Sequence, residues 1–370
     1  MRAFLFQTCI LLASFAANAV AADTLQSPRG APSWSGKAAA QYLDARAAWW
    51  MGWPGAARDH ETFCVSCHTA APYAMARPML RAVLGEQAPS PVEQKLLANV
   101  TKRVRMWKEV EPFYPDKTRG VPKTAESRGT ESILNALILA SYDSQSAEMQ
   151  PDTRLAFDRM WAEQLMTGEA KGAWSWLQFH NAPWEGDSQY YGATLAAIAL
   201  GAAPAKYRSA PEIQGGMKLL REYLVRERSS QILLDRVVLL WASSKIPGLL
   251  TGPEQKSIIE EALTKQQADG GFSLSSFVGA WKRKDNTPLE TRSDGYATGV
   301  VALALQDAGV ARDGPQLQRA LAWLMRNQDK TEGRWLAYSL NKQRDLSSDI
   351  GHFMSDAATA YAVLALKRAN

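Results

Sequence analysis

The feature that most constrains this chain is a recurring pair of helical patterns. A segment with mixed apolar and charged positions is followed, again and again, by one rich in Ala, Leu and other small residues. The second members align most easily at Ala193-Thr194-Leu195-Ala196, Ala297-Thr298-Gly299-Val300 and Ala358-Thr359-Ala360-Tyr361, with looser copies at Ser132-Ile133-Leu134 and Ile232-Leu233-Leu234-Asp235. The first members fall before them, near residues 91–107, 152–166, 212–226, 253–267 and 315–327, and a front pair at 38–50 and 69–84 makes six. Several first members begin with Pro, whose missing N–H costs nothing in the opening turn of a helix. Period-2 strand patterning is almost absent. A helix that is apolar nearly all round must be buried on both sides. Six such helices inside a ring of six amphipathic ones meet that need. An open solenoid stacks pairs without closing, but six pairs without clear polar caps point to an all-α ring, an α6/α6 barrel.

The amino terminus has the form of an export signal. Arg2 precedes an apolar run at residues 4–15, and small residues follow at Ala17, Ala19, Ala21 and Ala22. A spanning helix needs about 20 apolar residues, and Asn18 and Asp23 cut the run short. The expected organisation is a cleaved signal at 1–21 and one domain at 22–370, in a periplasmic or secreted protein. Cys9 would leave with the signal, so Cys64 and Cys67 remain as the mature cysteines.

Those two cysteines belong to Cys64-Val65-Ser66-Cys67-His68. A C-x-x-C-H run suits two thioether bonds to one haem c, with the adjacent imidazole as the iron's proximal ligand. An isolated pair could instead be a disulfide or a redox dithiol, but neither accounts for His68. Zinc needs about four ligands, and no second cysteine pair exists. For the second axial position the order is His352, Met354, then His180. Ring closure would bring the sixth pair beside the first. His60, Met75 and Met79 sit on the same side as His68 and reach the far face poorly.

Before the inner helices of the third, fifth and sixth pairs stand Asp187-Ser188, Ser293-Asp294 and Ser355-Asp356. Ser and Asp are good helix caps, and that reading stands beside a functional one. In the functional reading Asp187, Asp294 and Asp356, with Glu185 and Asp349, rim one end of a cavity and relay protons or bind a ligand. Aromatic residues crowd the same loops, among them Trp184, Trp281, Trp335 and Phe353. The net charge of +5 is spread without basic blocks, which argues against nucleic acid as a partner.

Three loops carry a family likeness. Arg319-Ala320-Leu321-Ala322-Trp323-Leu324 leads to Gln328 and Gly333-Arg334-Trp335. Gln267 leads to Gly270-Gly271-Phe272, and Gln164 to Gly172-Ala173-Trp174. They resemble the Q-W repeat of squalene-hopene cyclases and prenyltransferase-like toroids. The resemblance implies an α/α toroid in which Gln and Trp tie an outer helix to the next inner one. The acidic D-x-D-D cluster of class II terpene cyclases and the zinc ligands of protein prenyltransferases are not present. The expected function is therefore that of an exported monohaem protein with a redox role, an electron carrier or a haem c-dependent oxidoreductase. Its expected partners are haem, a small apolar ligand in the cavity and a periplasmic electron-transfer protein. The competing readings are a binding or envelope-interaction protein whose haem is structural, and a non-redox cyclase or lyase using the acidic rim.

Overall fold

The computed structural model describes residues 34–144, 148–184, 186 and 189–369, which fall in one compact unit, Ser33–Asn370. The expected signal at 1–21 lies outside the described residues, as do Glu185, Asp187 and Ser188.

Twelve helices form the six pairs. The first is α1 (Gly36–Gly52) and α2 (Ala70–Leu84), with a short antiparallel hairpin, β1 (Ala57–Arg58) and β2 (Thr62–Phe63), between them. The second is α3 (Pro91–Arg105) and α5 (Lys123–Asp143), with the single-turn α4 (Asp116–Arg119) in their loop. Then come α6 (Pro151–Ala162) with α7 (Tyr190–Ala202) and, after the single-turn α8 (Ala205–Arg208), α9 (Pro211–Glu227) with α10 (Leu233–Ser243). The last pairs are α11 (Gly252–Leu263) with α12 (Gly295–Asp307) and α13 (Pro315–Arg326) with α14 (Phe353–Ala369). The local sequence sets the outer starts. α3, α6, α9, α11 and α13 carry Pro in their opening turn, and Ser90–Glu93 and Thr251–Glu254 close capping boxes on α3 and α11.

The second member of each pair is inner. Around the ring, α2 packs on α5, α5 on α7, α7 on α10, α10 on α12, α12 on α14, and α14 back on α2. The ring is closed, which decides between toroid and solenoid. Its wall is apolar on every side, as in α7, where Tyr190 through Leu200 are all buried. All six inner helices line a cavity of about 400 Å³, through Met75, Leu137, Ile198, Trp241, Leu303 and Leu364 among others. It opens toward the carboxyl ends of the inner helices, between Arg208, Lys245 and Arg368.

The Q-W loops staple neighbouring outer helices, which corrects the expected tie to the next inner helix. Gln164 Nε2 donates to the carbonyls of Gly172 and Gly216, the latter in α9, while Trp174 Nε1 reaches back to Met160 O in α6. Gln328 Nε2 donates to Gly333 O and Ser35 O, its Oε1 accepts from Ser35 N, and Trp335 Nε1 donates to Leu324 O. In the fifth pair the equivalent residue is Gln266, not Gln267. Gln266 bonds Gly270 O and Gln316 O in α13, whereas Gln267 turns to Thr291 and Ser293. The loop glycine must be glycine. Gly333 has φ +79°, and a Cβ there would lie 2.4 Å from Ala38 O. Gly172 has φ +98° and would meet Leu219 O at 2.1 Å.

Candidate functional site

The C-x-x-C-H segment ends the loop that carries the hairpin and runs into α2. Its backbone is held from both sides. Asn99 accepts from Phe63 N and donates to Phe63 O, and Trp50 Nε1 donates to Cys64 O at 2.7 Å. Ser66 Oγ then accepts from Thr69 N and Ala70 N, capping α2. Cys64 and Cys67 are buried and are not joined in a disulfide.

His68 is where the two ends of the chain meet. Its Nδ1 lies 2.9 Å from Thr69 Oγ1, and the Thr69 hydroxyl donates to Asp356 Oδ2 at 2.6 Å. Asp356 Oδ1 accepts from Tyr42 OH at 2.8 Å and Arg46 Nε at 2.9 Å, and Arg46 also holds Asp349. The Thr69 proton is committed to the carboxylate, so its lone pair faces Nδ1. The imidazole therefore carries its proton on Nδ1 and leaves an unprotonated Nε2. The ring stacks on Phe353, with centroids 3.8 Å apart, and Trp50 and Trp184 close over it at 4.9 and 5.5 Å. Burial, then the Arg46 charge, pushes its pKa down to about 3. A void of about 20 Å³ lies among Trp50, Cys64, Cys67, His68 and Thr130. The motif thus faces a filled end of the ring rather than the open 400 Å³ cavity, and its lining does not fit a porphyrin.

The acidic rim separates into individual tasks. Asp294 N-caps α12. Its Oδ1 accepts from Ala297 N at 2.9 Å, its Oδ2 accepts from Leu274 N at 2.6 Å, and burial raises its pKa to about 7 despite these bonds. Asp356 is the fully bonded hub just described, its pKa raised by burial while Arg46 opposes the shift. Asp187 lies outside the described residues. Of the candidates for the second axial position, Met354 is buried in the apolar core, and His180 stacks on Trp281 at 4.3 Å. His352 sits 6.2 Å from the Tyr42 ring, with both ring nitrogens buried and without a hydrogen-bond partner among the described residues. It is Phe353, between His352 and Met354, that lies against His68.

Asp235 was not singled out by the sequence. It stands in the first turn of α10, and no hydrogen bond or ion pair with a described residue reaches its carboxylate. Burial alone lifts its pKa to about 7. The phenols of Tyr190, Tyr223 and Tyr296 feel its charge, which places it at the amino end of the inner helices, the same end as Asp294 and His68. The available signal was an acid beside Arg236 within Leu233-Leu234-Asp235-Arg236-Val237-Val238, where Arg236 turns to Glu261 and leaves the acid without that partner. An unpaired carboxyl in such a wall is costly, and a pKa so displaced marks a candidate functional group. At this end there is also an open groove of about 500 Å³, where Trp49 and Trp53 stack 5.4 Å apart beside Arg344, Asp345 and Ser348.

No protein-family model and no curated protein matches the sequence. The architecture does match solved structures. The unsaturated glucuronyl hydrolase of Bacillus sp. GL1, responsible for the degradation of glycosaminoglycan, aligns with a TM-score of 0.54 at 11% identity, over 90% of this chain and 96% of that one. The unsaturated glucuronyl hydrolase of Streptococcus agalactiae aligns with a TM-score of 0.53 at 9% identity, over 90% of each chain. At these identities the likeness is one of fold, and it agrees with the α/α toroid expected from the repeats. It also corrects the expected redox role, because the solved chains that share this ring are hydrolases. Among the described residues, no group of three or more His, Cys, Asp or Glu is set to hold a bare metal ion. None of the described helices is long and apolar enough to cross a membrane.

Proposed function

We propose that this chain is a hydrolase of acidic saccharides and that Asp235 is its proton donor. The observation that carries the reading is the Asp235 carboxyl, partly buried at the start of α10, without a hydrogen bond or ion pair to a described residue, and lifted to about 7 by desolvation. A carboxyl with that pKa is substantially protonated at neutral pH and can give its proton to a glycosidic oxygen as the bond to the leaving group breaks. Water then adds its hydroxyl to the sugar carbon and returns its other proton to the carboxylate, so the enzyme ends as it began. The solved hydrolases of the same architecture support a uronyl substrate.

The test is a panel of unsaturated and saturated uronyl disaccharides, followed by loss of the conjugated chromophore or gain of reducing ends. Asp235→Asn should lower kcat by about 10²-fold or more, with circular dichroism unchanged. A wild-type protein inert on the whole panel, or a variant as fast as wild type, would overturn the reading. Residues 1–21 keep their reading as an export leader in this proposal, and amino-terminal sequencing of the protein recovered outside the cytoplasm checks it.

A further inference from the structure

We propose that the 400 Å³ cavity at the carboxyl end of the inner ring binds a single aliphatic chain that ends in one anionic head group. Asp235 stands in the first turn of α10, whereas Lys245, at the cavity mouth, follows the last turn of that helix. The two sites are therefore at opposite ends of the ring. The cavity wall is aliphatic: Met75, Met79, Leu137, Ile198, Leu303 and Leu364 face it, and Trp241 is the one aromatic ring among its lining residues. The wall hydroxyls of Ser141 and Ser144 donate to the Leu137 and Ser141 carbonyls, each at 2.7 Å. A tail in this space needs no polar atom. Water here finds few partners, so an apolar chain that displaces it is favoured. The two methionines let the wall adapt to a flexible chain, and the volume falls in the range of small-molecule pockets, about 300–1,000 Å³.

The mouth supplies the charge. Arg208, Lys245 and Arg368 stand there, and Asp307 is the carboxylate that answers them. Asp307 Oδ2 accepts from Lys245 Nζ at 2.6 Å and from Trp241 Nε1 at 3.1 Å, and Arg368 Nε donates to Oδ1 at 2.9 Å. One acid thus serves two cations, and Arg208 pairs with no carboxylate among the described residues. The rim is left with an excess of positive charge. Basic side chains at helix carboxyl ends also offset the helix dipole, and Arg208 Nη1 does this at α7 by donating to Gly201 O and Ala203 O. That role takes one nitrogen of the fork. Its Nε and Nη2 remain for the oxygens of a carboxylate or phosphate. Gly201 makes the arrangement possible, because a Cβ there would lie 2.3 Å from Lys245 Cβ. Charge complementarity sets the pose: the tail runs inward past Trp241 and the head stays between Arg208 and Lys245.

The test is titration calorimetry of the delipidated full chain with dodecanoate, dodecyl phosphate, dodecanol and dodecyltrimethylammonium, each below its micelle concentration. Both anions should bind once per chain, with the negative heat-capacity change of apolar burial, and about 10-fold or more tighter than dodecanol. The tighter of the two identifies the head group. The cationic amphiphile should not bind. Arg208→Gln should weaken the anions by about 10-fold and leave dodecanol unchanged. Ile198→Trp, which fills the cavity, should abolish binding of all chains, and Leu303→Phe serves the same purpose if the first variant fails to fold. Circular dichroism checks both. A wild-type chain that binds neither anion overturns the proposal. So does equal affinity for all four probes, or binding that is unchanged in a folded cavity-filling variant or in Arg208→Gln. Neither result touches the Asp235 reading, which the saccharide panel decides separately.

Discussion

Replacing Asp235 by Asn should make the protein more stable in alkali while disabling it. The folded carboxyl titrates near 7 against 3.8 for an unburied one. Between those values the folded chain holds a proton that the unfolded chain has released, so stability falls as pH rises through the interval. Each unit is worth 1.36 kcal/mol, so the roughly three-unit gap amounts to about 4 kcal/mol by pH 8.5. Partial solvent contact of the side chain trims this to about 2–3 kcal/mol. The Asn side chain has no charge to bury. The difference between variant and wild type should therefore be near zero at pH 4 and grow to about 2–3 kcal/mol by pH 8.5. Asp294 titrates in the same range but is present in both proteins and cancels. Urea unfolding at pH 4, 6 and 8.5, with the m-value held as a check on the unfolded state, measures the difference directly. A variant advantage independent of pH, or a variant less stable at pH 8.5, would refute the claim that this carboxyl is desolvated without a compensating partner.

Further expectations follow from other parts of the ring. In the proposed saccharide assay, kcat should fall as pH rises above about 7, since the acid form of Asp235 is then lost, and a rate flat from pH 5 to 9 would speak against this donor. Gly333→Ala should cost about 1–3 kcal/mol, because the residue needs φ +79° and its Cβ would strike Ala38 O; denaturant midpoints report it. Arg103→Met should cost about 3–5 kcal/mol, because it strands Glu131, which is fully buried with it. Adding Glu131→Leu should recover most of that loss, and a double variant as unstable as the single one contradicts the pairing.

Much of the ring was legible in the sequence, and the reason is physical. A helix apolar on all sides declares that it is enclosed, and six of them leave few ways to be enclosed. The Q-W stapling was legible in residue type but not in register. The spacing from Gln to the loop glycine is eight residues in Gln164–Gly172, four in Gln266–Gly270 and five in Gln328–Gly333, so spacing alone does not choose between Gln266 and its neighbour. The acidic rim was legible in position only. Whether Asp294 caps its helix or faces a ligand depends on where the Leu274 backbone passes, and that is a tertiary fact. Phe353 was named as a rim aromatic, but nothing local says that it stacks on His68, because the contact joins the last pair to the first. Asp235 escaped notice because, followed at once by Arg236, it resembles an ordinary charged position near a helix start. Desolvation displaces its pKa, and no described partner offsets it.

The placement of the polar hub follows from the same closure. In a stack of helix pairs each interface resembles the next, and the apolar faces of α2, α12 and α14 carry little that would stop one sliding past another by a turn. A closed ring has to join its two chain ends in one register. That seam is where Asp356 meets Tyr42, Arg46 and Thr69, and where Gln328 meets Ser35, across separations of 287 to 314 residues. Moving α14 by one turn would leave a buried carboxylate and a buried guanidinium unpaired, a cost of several kcal/mol, whereas an apolar seam would pay little. The hub thus specifies the register of closure. Because Thr69 belongs to it, the orientation of the His68 ring is set by the same act that closes the ring.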